Sequence, residues 1–176
     1  MVTLRATKKV LRWLPAISTT DESADTALGD WYVNRFVVDR QPLLLLVSSR
    51  SLLSILEPAR QIRQLPDRLP VLVRQRLQRL GVVRPLIERE VAAMHPVCVG
   101  PTRDRSVLGT LVDFARTVPY CLAENGWSEV DLRLTESRLA QTPCKVSGPE
   151  RSTLFPCDAV PRLLEEAWGG FGHAIH

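Results

Sequence analysis

WYVNRFVVDRQPLLLLV, residues 31–47, decides how this chain is read. Aromatic and β-branched residues fill its first eight positions, the signature of a strand. DRQ turns the chain. PLLLLV follows as a second strand, with Pro42 at its first position, where a missing N–H is tolerated. The two make a hairpin. A period of two splits the first strand: Trp31, Val33, Arg35 and Val37 share one face, and Tyr32, Asn34, Phe36 and Val38 the other. Both faces are mainly apolar, so the strand is central and covered on both sides. Each face holds one polar intruder. A buried amide or guanidinium must be hydrogen-bonded or it costs about 1–3 kcal/mol or more. Asn34 and Arg35 therefore either meet structural partners or line a cleft.

Other elements arrange themselves around the hairpin. VTLRAT alternates like a short strand, and Thr7 caps a short helix, KKVLRWL, that Pro15 ends. STTDESADTALG is small and polar, so 16–30 reads as a flexible loop. SSRSLLSIL reads as a turn and a short helix opened by Ser49 or Ser51. From 65 to 80, Leu69, Val73, Leu77 and Leu80 recur at helical spacing, with Gly81 as the stop and Arg68, Gln75 and Arg79 opposite. RPLIEREVAAM is another helix, with Pro85 in its first turn. PVCVG is a strand. TRDRSVLGTLVDFARTV is a helix capped by Thr102 or Asp104 and ended by Pro119, with Gly109 inside it at a cost of about 1 kcal/mol against alanine. SEVDLRLTESRLA starts with Ser128 and Asp131 at capping-box spacing. A last helix runs from near Asp158 to Gly169 and Gly170. The fold these elements predict is α+β: one domain over 1–176, with a small, mainly antiparallel sheet covered by several helices.

Composition narrows the function classes. The chain has 176 residues, 45% apolar and 24% charged, the balance of a globular protein. Its longest apolar run, residues 43–47, falls far short of the ~20 residues that span a bilayer. The basic start lacks the apolar core and small-residue cleavage site of a signal peptide. A cytoplasmic protein without membrane partners is expected. Cys98, Cys121, Cys144 and Cys157 are widely spaced and lack metal-binding neighbours, so four reduced thiols and no metal or cofactor are expected. Net charge is +4, unevenly spread. Residues 31–116 hold fourteen basic against seven acidic residues, and 117–176 five against eight. A basic middle suits an anionic partner.

Candidate chemistry gathers at two places. The start of the 104–118 helix offers unpaired N–H groups beside Arg103, Arg105 and Ser106, an anion-binding arrangement suited to phosphate. Against it, the Asp104 carboxylate can occupy the same donors. The second place is a cleft that the hairpin and this helix would form, from Asp30, Tyr32, Asn34, Arg35, Ser48 and Asp113. Phosphate-loop, dinucleotide-binding and nucleophile-elbow patterns are missing. Of the three histidines, His95 precedes Pro96, and His173 and His176 lie at the C-terminus. Asp30, Asp39, Asp104 and Asp113 match no metal-ligand spacing.

Four motifs occur in a fixed order: Thr7-x-Lys9-x-Leu11, the hairpin stretch from Leu28 to Leu56, Asp104 to Phe114 with its DRSVLGTLVDF, and LAQTP ending at Pro143. With these the chain resembles an uncharacterised bacterial domain family, a domain of unknown function whose relatives also accompany plasmid ORF-3-like proteins. The likeness is most specific at Gly29-Asp30-Trp31-Tyr32 and Arg105-Ser106-Val107-Leu108-Gly109. The chain departs from the family pattern at Ser48 and Ser51, where Asn and Thr are usual, and at Val112, where Asn is usual. The resemblance implies a single-domain fold and a mobile-element setting, and no mechanism. The expected function is a non-enzymatic binding or regulatory module for an anionic partner, with nucleic acid the first candidate. The alternatives are a hydrolase or nuclease built on Asp30, Asn34, Arg35, Arg105 and Asp113, and a protein–protein adaptor using exposed Leu and Trp.

Overall fold

A computed structural model describes residues 1–15, 22–146 and 152–171. Five strands form the main sheet: β1 (Val2–Ala6), β2 (Trp31–Val38), β3 (Gln41–Ser48), β4 (Ser54–Pro58) and β5 (Val97–Pro101). Their order is β4-β3-β2-β1-β5. The helices are α1 (Lys8–Leu11), α2 (Leu65–Arg79), α3 (Arg84–Ala93), α4 (Arg105–Asn125), α5 (Glu129–Ala140) and α6 (Pro156–Trp168), and a 3-10 segment, Ala59–Gln64, leads into α2.

The α+β class stands, but the sheet is mixed rather than mainly antiparallel. Strands β2, β3 and β4 form an antiparallel meander, while β1 runs parallel to both β2 and β5. The reason is connectivity. Long stretches separate β1 from β2 and β4 from β5, and only such crossovers can return a strand in the same direction.

Strand β2 lies inside the sheet and is covered on both faces. Trp31 and Val33 join one core with α2, α3 and α6. Tyr32 and Val38 join a second core with α4 and α5. Trp31 is fully buried, and deleting such an aromatic costs about 3–5 kcal/mol. The hairpin turn is tight. Asp39 and Arg40 both adopt positive φ, 46° and 66°, the mark of a type I′ turn whose twist matches the strands. Glycine fits Arg40's conformation best, yet an arginine stands there.

Two other expectations change, and one element is new. SSRSLLSIL is not a helix: it holds a turn and strand β4. Leu52, Leu53, Ile55 and Leu56 fit helical spacing, but pairing with β3 takes precedence, and Ile55 and Leu56 fill opposite cores. Pro119 does not end α4. The helix continues to Asn125 because Cys121 and Leu122 are buried beyond the proline and Val118 just before it, which offsets the ~3 kcal/mol cost of an interior proline. A second, two-stranded sheet, β6 (Cys144–Val146) with β7 (Ser152–Leu154), was not foreseen. Of the 16–30 loop, 16–21 lie outside the described residues, as do His173 and His176. Within the rest, Thr26 to Gly29 are buried, and the Ala27 and Leu28 amides donate to the Glu90 carboxylate. Gly29 is required there: its φ is +77°, and a Cβ would meet Ser49 Oγ at 2.3 Å.

The outer edge of β4 is closed by side chains. Glu136, fully buried on α5, accepts from the Leu56 N–H at 2.9 Å, from Arg133 at 2.6 Å and from Arg79 at 2.9 Å. Arg76 donates to the Ser54 carbonyl and to the Glu136 carbonyl. Arg133 donates to the Leu56 carbonyl and to Glu57. These bonds occupy edge groups that would otherwise be a template for another strand. Burial pulls the Arg76 guanidinium below its ordinary pKa, partly offset by Glu136. Burial acts the same way on Arg133, but Glu136 and Glu57 outweigh it and hold that group above its ordinary value.

Candidate nucleic-acid interface

The hairpin's polar residues mostly have local structural partners. Asp30 accepts from the Thr3 N–H and from Arg5 Nε, both at 2.9 Å. Asn34 Oδ1 accepts from the Thr7 hydroxyl at 3.0 Å. Ser48 is buried and shares a hydrogen bond with the Ser51 hydroxyl. The Tyr32 hydroxyl accepts from the Asp104 N–H at 3.1 Å, which ties the hairpin to the start of α4.

At that start, Asp104 Oδ1 accepts from the Ser106 N–H at 2.7 Å and the Val107 N–H at 3.3 Å. The carboxylate thus takes donors that a phosphate would use. Arg103 and Arg105 are exposed. Arg105, Ser106 and Asp113 do come together, along a groove of about 460 Å³ beside α4 that Gly109, Cys144 and Lys145 also line. An added Cβ on Gly109 would meet nothing within 4 Å, so no close backbone among the described residues explains this glycine. Burial, helped by the charge of Asp113, pushes the Cys144 thiol up to about 11. It is protonated at neutral pH and is a poor nucleophile there. Among the described residues no three His, Cys, Asp or Glu side chains gather in a metal-binding group, and no helix is long and apolar enough to cross a membrane.

Arg35 behaves differently from its neighbours. Its face of β2 is apolar under the helices, but toward the hairpin tip that cover ends: Arg35 is half-buried, and Val37 is exposed. The 3-10 segment lies against this end. Ile62 is its one buried residue, so Arg60, Gln61, Arg63 and Gln64 are left exposed. A groove of about 460 Å³ results, lined by Arg35, Arg60, Arg63, Pro42 and Trp13 among others. Arg60 and Pro42 also line a second groove, of about 450 Å³, with Arg40 and Trp127. The two grooves are therefore neighbours, with an arginine at their boundary. Neither is lined by an acid. Glu57 reaches a smaller recess beside them, where Arg68 and Arg133 already neutralise it.

Among the described residues Arg35, Arg40, Arg60 and Arg63 form no ion pair or side-chain hydrogen bond. Exposed Trp13 (41% exposed) carries the Arg12 guanidinium 5.8 Å from its ring centroid. Sequence reasoning named Arg35 and missed Trp13, Arg40, Arg60, Arg63 and Trp127. The available signal was the ARQIRQ stretch, in which two arginines lie three residues apart with no acid between them.

The model of a domain of unknown function, DUF6933, matches residues 3–159. The chain belongs to the DUF6933 family. No curated protein and no solved structure matches it. The DUF6933 match spans the hairpin, the 3-10 segment and all of α4, so both grooves at the hairpin tip and the groove beside α4 fall within the family domain.

Proposed function

We propose that this DUF6933 chain is a non-enzymatic binding module for an anionic partner, nucleic acid, which it holds at the hairpin tip. The observation that carries this reading is the set Arg35, Arg40, Arg60 and Arg63: four guanidinium groups without acidic partners among the described residues, around two adjoining grooves. Unpaired arginines beside aromatic side chains form the electrostatic and stacking footprint of nucleic-acid binding. A bacterial mobile-element setting, implied by the resemblance to domains that accompany plasmid ORF-3-like proteins, would supply such a partner. A cytoplasmic location suits the four free thiols. The enzyme reading has less support, because Asp30, Asn34 and Ser48 are each held by a local partner, while Arg35 and Asp113 line separate grooves.

The test is a titration of labelled oligonucleotide at low salt, read by fluorescence anisotropy. Saturable binding is expected, weakening as salt rises because bound counterions are released. The double variant Arg60→Ala/Arg63→Ala should bind more weakly and show a salt slope smaller by about two, one per lost phosphate contact. Equal binding by this variant, or no saturable binding of the intact protein, would overturn the proposal.

A further inference from the structure

We infer that the partner is single-stranded, and that its bases stack on the two tryptophans bounding the arginine grooves. This rests on the anionic reading above and names the form of nucleic acid that the same surface takes. Trp13 lines one groove and Trp127 the other, and Arg60 and Pro42 belong to both. Each groove thus sets arginines beside one tryptophan, and Arg60 joins the two, as a backbone-tracking groove with stacking platforms requires. Trp127 packs partly against the second core, which fixes it. Trp13 is more exposed and carries a guanidinium near its ring.

Shape favours unpaired strands over a duplex. The arginines line recesses of about 450–460 Å³, within the ~300–1,000 Å³ range that accommodates small ligands. An unpaired base can enter such a recess and present its ring face. In a duplex those faces are stacked on one another, and proteins reach the base edges with a helix or a ribbon in the groove. Around these recesses lie the 3-10 segment, the turn after α1, the β2–β3 hairpin with its tight turn, Pro58 at the end of β4, and Trp127 and Leu132 at the start of α5; Leu132 is turned into the second core. Arg40 adds an independent sign. It holds the left-handed conformation that glycine would adopt without strain, so a cation is kept at the tip against the backbone preference.

The experiment compares three probes at one salt concentration. They are a single-stranded oligothymidylate of about 12 nucleotides, a length within the usual site range, a duplex of equal length, and inorganic polyphosphate as a polyanion without bases. The oligothymidylate should bind at least about tenfold more tightly than either of the others and quench tryptophan fluorescence. Trp13→Ala should weaken it by about five- to one-hundredfold, the range for one stacked base. Arg40→Gly should weaken binding while its melting temperature stays at or above that of the parent. Equal affinity for all three probes, or a Trp13→Ala protein that binds like the parent, would overturn the single-strand inference. In that case loss of polyphosphate binding in Arg60→Ala/Arg63→Ala would still leave the anionic reading standing. If no probe binds at all, both fall.

Discussion

Arginine is used in two opposite ways at the outer edge of strand β4 and at the hairpin tip. Behind that edge, Arg76, Arg79 and Arg133 are drawn in around Glu136 and Glu57, with each guanidinium meeting a carboxylate or a backbone carbonyl. At the hairpin tip, Arg35, Arg40, Arg60 and Arg63 meet no acid among the described residues. The first group closes the protein, and the second leaves charge facing solvent. A count of basic residues cannot tell these uses apart. What separates them is whether folding delivers a carboxylate. A paired, buried guanidinium has already spent its attraction on the fold, while an unpaired one keeps it for a partner.

The sharpest way to break this comparison is Glu136→Ala. It removes the carboxylate that serves Arg76, Arg79, Arg133 and the Leu56 amide together. Removing one side of a buried pair strands the other, so a loss of about 3–5 kcal/mol is expected in urea unfolding. The exposed edge of β4 should also promote association, visible as concentration-dependent light scattering. A loss below about 1 kcal/mol would show that the network is decorative, and the contrast between the two regions would collapse.

A smaller effect belongs to Asp104. Its carboxylate bonds two amides in the first turn of α4, so Asp104→Ala should cost about 0.5–2 kcal/mol. The same variant sharpens the comparison, because it frees the donors beside Arg103 and Arg105. If Asp104 is a cap, the variant gains no affinity for phosphate in calorimetry. A gain in phosphate binding with unchanged stability would move the anion site from the hairpin tip to this helix end.

Legibility follows the range of the interactions. The β2–β3 hairpin could be read because its evidence is local: alternation, β-branched residues and a turn within a single stretch. The Ser128–Asp131 capping box was readable for the same reason, and the structure forms it. Strand β4 reads as helix because Leu52 and Leu53 ahead of it and Ile55 and Leu56 within it satisfy both periods, and only pairing with β3 decides between them. The partner of Asn34 was invisible because Thr7 lies 27 residues away. Distance in sequence also hid the two arginine groups. Helical spacing puts Arg76 on the same face of α2 as Leu69, Val73 and Leu80, but Glu136 lies 60 residues away, so nothing local shows which group will receive the buried guanidinium. The basic surplus of 31–116 is readable, but which of its charges stay unpaired depends on the fold, which brings Glu57 to Arg68, Glu88 to Arg74 and Glu136 of α5 to Arg76 and Arg79.

The smallest expected effect is the change in stability when the open arginines are removed. Arg60 and Arg63 are exposed and form no ion pair among the described residues. Truncating them strands no buried group and opens no cavity, so Arg60→Ala/Arg63→Ala should shift unfolding by no more than about 0.5 kcal/mol per site. The sign can be argued further. Four like charges around adjoining grooves repel one another, and that repulsion weakens as ions screen it, with a Debye length of about 10 Å at 0.1 M salt. Raising salt should therefore stabilise the parent slightly more than the double variant. Unfolding curves of both proteins at low and moderate salt measure this. A loss above about 1 kcal/mol in the variant would mean that these arginines support the fold, as Arg76 does, and the unpaired charge at the hairpin tip would no longer argue for a partner.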